Sequence, residues 1–506
     1  MPVAQTSYGP VKGTLEGKVT VFRGIPYAQP PTGSLRFRPP AAPNPWSAVF
    51  DAACFGPVAP QPAAPTLLPR AELPQSENCL TLNIWTPGLD KQQRPVLVWL
   101  HGGGLITGSG ADPYSMGDGF AEDGVVFVSV NYRLGSLGFL YLGDMLGPEY
   151  QTSGNCGVLD VTAALKFVRD NIANFGGNPS RITVGGVSAG AKLAATLHAV
   201  PDAKGLFQQT ILQSGANQTI RSTQTASVIT AEFLDALGLG RAEAHRILDL
   251  PVSDLISAQT KIGQGPQNFH RFGPVLDGVV FPTGIRAGNE EEHLAPEAAF
   301  SGPILIGTAK SEARILMGRD PMLAEMNPQA ITRLFGDNSG IVLCAYRKLC
   351  DTLPHTEAAC QVLTDYMYGI GSERFADGLS AAGVPVWRYR FDWKGPHGAC
   401  HVQDMPFVWN KSFGTEGLFA IPIGRKTGAE HGSSPVQALA AAVHKAWISF
   451  VKTGSPGIPE LPQWPQYTRE RREVMLFDET CQVAILPRLD VEDGFPEQVL
   501  AMRRDG

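Results

Sequence analysis

Five residues, Gly186-Val187-Ser188-Ala189-Gly190, constrain this chain more than any other stretch, because of what flanks them. Upstream, 181–186 (RITVGG) reads as a short strand, and downstream, 189–199 reads as a helix. A serine on so tight a strand-to-helix turn is held in a strained backbone, and glycines two residues before and after it let neighbouring segments pass close. Its hydroxyl then projects above the sheet, and the helix N-terminus behind it supplies an N–H and the positive end of a dipole. That arrangement suits a nucleophile. A chain with 56 glycines also produces this pattern by chance, so the alternative is a plain structural turn; the strand before and the helix after favour the nucleophile. A phosphate loop is rejected, because Ala191 stands where such a loop needs Lys and Leu193 follows Lys192.

The rest of the first half alternates in the same way. Apolar runs at 95–100 (PVLVWL), 125–132 (VVFVSVNY), 209–213, 303–308 (PILIGT) and 384–393 read as further strands. The stretch 158–175 reads as a helix stopped by Gly176-Gly177, and 436–452 as a late helix ending before Gly454 and Pro456. Continuous apolar strands alternating with helices predict an α/β fold with a large, mostly parallel central sheet covered by flanking helices. Length alone would suggest about three domains, but large α/β enzymes grow by loop insertion on one sheet. We therefore expect one domain spanning 1–506, with helical, cap-like insertions around 219–300 and 315–380.

Charged residues make up only 17% and the net charge is −6, with no long basic cluster, so nucleic acid is not an expected partner. No apolar run approaches the roughly 20 residues that span a bilayer. The first 18 residues lack a basic start followed by an apolar stretch, so a cytoplasmic protein is expected, with secretion the alternative if a leader has been removed. Eight cysteines without a CxxC pair argue against a zinc ribbon or a dithiol redox site; Cys344, Cys350 and Cys360 read as buried residues of a helical region.

A serine attacking an acyl carbonyl needs donors for the oxygen that becomes negative. His101-Gly102-Gly103-Gly104, directly after an apolar strand, is a pattern that supplies backbone N–H groups, and Ala189 would add another. A flexible glycine hinge is the weaker alternative. The serine also needs a base, and His is the side chain tuned for that near neutral pH. The chain order serine, acid, histidine leaves histidines well after Ser188; His397 and His401 both follow the sixth strand, and local composition does not choose between them. Together they also suggest a metal cluster, but there is no HExxH, and Gly395, Pro396 and Gly398 oppose a helix that would turn both rings one way. For the acid, Glu312 follows the fifth strand, with Asp320 and Glu325 as rivals.

Taken together, these motifs resemble the type-B carboxylesterase family, which includes bacterial para-nitrobenzyl esterases and cholinesterases. The resemblance runs along nearly the whole chain: Phe22-Arg23-Gly24-Ile25-Pro26-Tyr27-Ala28, Leu35-Arg36-Phe37, Glu77-Asn78-Cys79-Leu80-Thr81-Leu82-Asn83, Asn131-Tyr132-Arg133-Leu134-Gly135, Gln213-Ser214-Gly215 and Trp464-Pro465-Gln466-Tyr467. It implies the α/β-hydrolase fold and a serine ester hydrolase with Ser188 as nucleophile, His401 as base and Glu312 as acid. His401 fits because an acidic residue follows by three and Pro-Phe by five (Asp404, Pro406-Phe407). Glu312 fits a family turn in which Ser311 and Ala313 replace the usual neighbours. The resemblance further implies oxyanion donors at Gly103, Gly104 and Ala189, structural ion pairs Arg36–Glu77 and Arg133–Asp160, and a disulfide between Cys54 and Cys79.

If formed, that disulfide would contribute on the order of 3–4 kcal/mol; in a reducing cytoplasm two reduced, buried thiols are expected instead. Family members commonly carry Glu where this chain has Val187, so no charge stands beside the nucleophile and neutral, largely apolar esters are the expected substrates. No metal or cofactor is required by such chemistry, and the only partner implied is a small-molecule ester. Amide or carbamate hydrolysis by the same triad is the nearest alternative, and a non-catalytic recognition protein of this fold a more distant one, since all three triad positions are filled. Acyl and alcohol preference resides in loops 57–74 and 265–296, and the oligomeric state, monomer or dimer, stays open.

Overall fold

The computed structural model describes residues 1–63, 70–216, 220–263, 271–282, 302–317, 328–335, 339–395, 397–413, 421, 423 and 434–487. Asp320, Glu325 and much of the loops 57–74 and 265–296 lie outside the described residues. The chain forms two compact units: Met1–Thr210, Thr219–Gln264 and Asn268–Arg286 make the first, and Ile211–Gln218, Gly265–Gln267 and Ala287–Gly506 the second.

In the first unit the sheet strands are β1 (Thr14–Glu16), β2 (Val19–Pro26), β3 (Thr81–Thr86), β4 (Arg94–Leu100), β5 (Val126–Val130) and β6 (Gly177–Val187). Their spatial order is β1-β2-β3-β5-β4-β6. The β5-β4-β6 core is parallel, with Val98 opposite Val128 and Val184. Every residue from Val96 to Leu100 is at most 1% exposed, which explains the unbroken apolar run: both faces are covered. Each large side chain so buried contributes about 1.5–3 kcal/mol. The helix Cys156–Asn171 continues as a 3-10 turn to Phe175 and stops at Gly176 with φ 79°, as its glycines predict.

The antiparallel edge β1-β2-β3 and its antiparallel junction with β5 escaped sequence reading. Two causes are visible. Strand β2 is interrupted by a register shift between Phe22 and Ile25, where Gly24 has φ 67°. Strand β3 is wholly buried yet reads Thr-Leu-Asn-Ile-Trp-Thr, so its pattern is not apolar. Its Asn83 is satisfied by tertiary partners: Oδ1 accepts from the Gly24 N–H at 2.9 Å, and Nδ2 donates to Ser129 Oγ at 3.0 Å and Gly110 O at 3.2 Å.

The strand β7 (Gln209–Gln213) begins in the first unit and ends in the second. In the second unit β8 (Ile304–Ala309), β9 (Val386–Phe391) and β10 (Glu473–Phe477) pair in parallel, and β11 (Gln482–Ile485) closes the edge antiparallel to β10. Just beyond β7, the Ser214 N–H donates to Gly307 O of β8 at 2.8 Å. The late helix Pro435–Thr453 has the ends its sequence dictates. Ser434 caps the Gln437 N–H, Pro435 opens it, and Gly454 at φ 79° terminates it. Its Trp447 packs edge-on against Tyr389 of β9 at 5.0 Å.

The segments read as insertions hold helices Thr223–Ala236 and Val252–Ile262 in one, and Pro328–Phe335, Ser339–Cys350, His355–Thr364 and Ile370–Ala381 in the other. A short parallel pair, Arg221–Ser222 with Val275–Leu276, was not foreseen. Of the three cysteines expected to be buried there, only Cys360 is; Cys344 is exposed and Cys350 partly so. The inward face of their helix is set by Val342 and Ala345, which turns Cys344 outward. Among the described residues no helix is long and apolar enough to cross a membrane.

Candidate active site

In the first unit, strand β6 delivers the chain into Ser188, which adopts φ 55° and ψ −120° before the helix Ala189–Thr196 begins. A non-glycine residue at positive φ costs on the order of 1–3 kcal/mol and persists only where the surroundings impose it. The surroundings here are glycines. A Cβ at Gly186 would lie 2.5 Å from the carbonyl carbon of Gly190, and one at Gly190 would overlap the Leu100 carbonyl oxygen. The turn therefore closes only with Gly at both positions.

The same unit brings the glycine loop to this turn. A Cβ at Gly102 would lie 3.3 Å from Ser188 Cβ. Gly103 and Gly104 have φ of 118° and 66°, and the Gly103 carbonyl accepts from the N–H of Thr107 at 3.0 Å, which curls the loop back on itself. Ala189 opens the helix, so its N–H has no carbonyl one turn back within the helix. His101 is part of the scaffold rather than the chemistry: its ring stacks on Tyr132 at 4.4 Å, its Nδ1 donates to Gly102 O at 2.8 Å, and Tyr132 donates to His101 O at 2.7 Å. Burial holds its imidazole below the usual range, so the ring stays neutral.

In the second unit the structure joins two residues 89 positions apart. Glu312 Oε2 lies 2.6 Å from His401 Nδ1, and Glu312 Oε1 accepts the Ala309 N–H at 2.7 Å. Both side chains are essentially buried. Two backbone bonds hold the segments together: the Ser311 N–H donates to Ala399 O at 2.8 Å and the His401 N–H to Glu312 O at 3.3 Å. Since a carboxylate only accepts, Nδ1 carries the proton and Nε2 is left as the basic nitrogen. Val402, next in the chain, is a β-branched residue at φ 63°, a strained position that fixes the loop's course. His397, the other sequence candidate, is exposed on the surface.

Behind this pair lies Asp404, which is 1% exposed. Its Oδ2 accepts from Gln213 Nε2 and from Tyr389 OH, both at 3.1 Å, and Gln213 is oriented by Trp447 Nε1 at 3.0 Å. Burial, and then the charge of Glu312, push its carboxyl up to about 6, against the two hydrogen bonds that favour the anion. Sequence reading used Asp404 only as a spacing marker for His401; its donors and its depth are tertiary facts.

A sequence model of the carboxylesterase family matches residues 1–336 and 347–492. The chain belongs to the carboxylesterase family. It is 37% identical over 489 residues to a para-nitrobenzyl esterase of Bacillus subtilis, covering 94% of each chain, and 35% identical over 485 residues to a phenmedipham hydrolase of Pseudarthrobacter oxydans, covering 90% of each. The carboxylesterase EST55 of Geobacillus stearothermophilus superposes with a TM-score of 0.84 at 36% identity, covering 96% of this chain and 98% of that one. The fold is thus that of the α/β-hydrolases, with its large, mostly parallel sheet and flanking helices, and this carboxylesterase is a carboxylic-ester hydrolase.

Other expected features of the carboxylesterase resolve as follows. Arg36 and Glu77 pair through two bonds of 2.8 and 2.7 Å, and Arg133 and Asp160 through two of 2.8 and 2.7 Å, the latter pair fully buried. Cys54 and Cys79, for which the resemblance implies a disulfide, stand as free thiols in the structure. Cys79 is completely buried, whereas Cys54, expected to be buried, is exposed.

Proposed function

We propose that this carboxylesterase cleaves neutral, largely apolar esters by acyl transfer through Ser188, with His401 as base, Glu312 as its orienting carboxylate, and the N–H groups of Gly103, Gly104 and Ala189 as oxyanion donors. The observation that carries this reading is the 2.6 Å contact of Glu312 with His401 Nδ1, which makes Nε2 the basic nitrogen able to take a hydroxyl proton. The strained turn at Ser188 and the glycine loop beside it support the nucleophile and the donors.

In the proposed sequence, Nε2 of His401 takes the Ser188 proton as Oγ bonds to the acyl carbon. The carbonyl oxygen, now negative, is held by the backbone donors. The bond to the alcohol oxygen then breaks, and the imidazolium returns its proton to that oxygen. Water, deprotonated by His401 in the same way, releases the acid and restores Ser188. Glu312 holds Nδ1 throughout and stabilises the imidazolium.

Substrate charge follows from Val187. This apolar residue is fully buried beside Gly102, so it presents no anion to attract a cationic alcohol. The test is a set of purified variants assayed on a short-chain para-nitrophenyl ester and on a choline ester paired with its neutral isostere. Ser188→Ala should lower turnover by roughly 10⁴-fold or more while the circular dichroism spectrum is unchanged. Turnover that survives in folded Ser188→Ala overturns the site; a choline ester cleaved much faster than its isostere overturns the substrate class.

A further inference from the structure

Tyr368 touches the basic edge of His401. Between the helices His355–Thr364 and Ile370–Ala381 the backbone opens into one π-helical turn, Asp365–Gly369, with sequence DYMYG. Such wide turns are uncommon and recur at functional sites, because the extra residue shifts side chains off the register of the flanking helix. Here the turn presents Tyr368, which is 2% exposed. Its ring stacks on the His401 imidazole with centroids 4.5 Å apart and 28° between planes, and its hydroxyl lies 3.4 Å from Nε2. One turn earlier, Thr364 Oγ1 accepts the N–H of Ala313, the residue after Glu312, at 3.1 Å. The same helical segment therefore touches His401 and the residue that follows Glu312.

We infer that Tyr368 is a positioning residue for ester hydrolysis, holding the Nε2 edge of His401 and sharing the charge that this ring acquires when it takes up a proton. The inference rests on the reading of His401 as the base. With the Nδ1 proton committed to Glu312, neutral Nε2 can only accept, so the Tyr368 hydroxyl donates to it. Once His401 is protonated, Nε2 becomes a donor, and the same phenol oxygen can accept from it after rotating its O–H. No proton leaves Tyr368 in either state. A hydrogen bond to the cation is roughly twice as strong as one between neutral groups. The ring face adds attraction for a cation centred within about 6 Å. Both effects favour the imidazolium. The bond is long for an O–H donor, so Nε2 is not locked and can exchange Tyr368 for the serine hydroxyl.

Several titratable groups lie near His401 among the described residues of this unit. Glu312 meets Nδ1 from the segment after β8. Asp404 follows three residues later in the same loop, turned to Gln213 and Tyr389, and its carboxyl feels the His401 charge. Cys400 precedes it, with a thiol that burial pushes up to about 12, and Arg314 is paired with Glu357. Of these, the Tyr368 hydroxyl lies against Nε2.

Tyr368→Phe keeps the ring and removes the hydroxyl; Tyr368→Leu removes both. In the pH profile of kcat/KM, the acid limb reports protonation of the base in the free enzyme. Tyr368→Phe should move that limb to lower pH by roughly half a unit and reduce kcat roughly three- to tenfold with little change in KM. Tyr368→Leu should move it further, by about one unit in all. An acid limb that stays in place, or rises, in Tyr368→Phe overturns the inference even where kcat falls, because a purely structural defect does not retune the base. Failure of the underlying reading looks different: turnover would survive Ser188→Ala, or His401→Ala would keep the wild-type acid limb.

Discussion

Asp404 makes the stability of this protein depend on pH in a direction opposite to that of most carboxylates. Its side chain is buried, its Oδ1 has no hydrogen-bond partner among the described residues, and its carboxyl titrates at about 6 against an ordinary 3.8. A carboxyl raised in the native state binds its proton there before it does in the unfolded chain. Its contribution to stability is therefore complete below about pH 4 and is lost as the pH rises through 6. The gap of roughly two pH units is worth about 3 kcal/mol. Asp404→Asn is the isosteric probe. With its amide oxygen in the place of Oδ2, it keeps the bonds from Gln213 and Tyr389 and puts its NH₂ where the unpaired oxygen was. Urea unfolding of both proteins at pH 4, 5, 6 and 7 gives the stability of each. The stability of the wild type relative to Asp404→Asn should fall by about 2.5 kcal/mol between pH 4 and pH 7. A difference that stays constant to within about 0.5 kcal/mol across that range, or that moves in the wild type's favour, would refute the assignment of a strained, buried charge.

Asp160→Asn leaves the Arg133 guanidinium buried beside a neutral amide, and should destabilise the fold by about 3–5 kcal/mol in denaturant titrations, whereas exposed Lys166→Ala, which breaks the surface pair with Asp202, should cost less than about 1 kcal/mol. The free thiols can be counted directly. At pH 8 a disulfide reagent should modify native Cys54 quickly but leave Cys79, whose thiol burial pushes up to about 12, untouched until the protein is unfolded; a reductant-dependent gain in thiols would instead reveal the bridge.

The local features of this carboxylesterase were legible because they are backbone matters. A strand, a glycine-bracketed serine and a helix are encoded within some twenty residues, and so are the three glycines after β4 and the Gly stop of the late helix. Each is written in torsional preference and in the periodicity of burial, which neighbours in sequence share. The buried parallel strands were legible for the same reason, being predominantly apolar. What local pattern could not supply was pairing at a distance. Strands β2 and β3 went unread because a bulge and a polar ladder hide them, and Asn83 reads as buried only once Gly24 and Ser129 stand beside it. His397 and His401 are equivalent by composition, and the resemblance to a family was needed to prefer one. Packing alone puts His401 against Glu312 across 89 residues, leaves His397 in solvent, sets Asp404 deep behind the pair and turns Tyr368 onto Nε2 through one irregular helical turn. Ionisation and proton affinity depend on what surrounds a group in space, and in a chain of this length those surroundings come from residues far away in sequence.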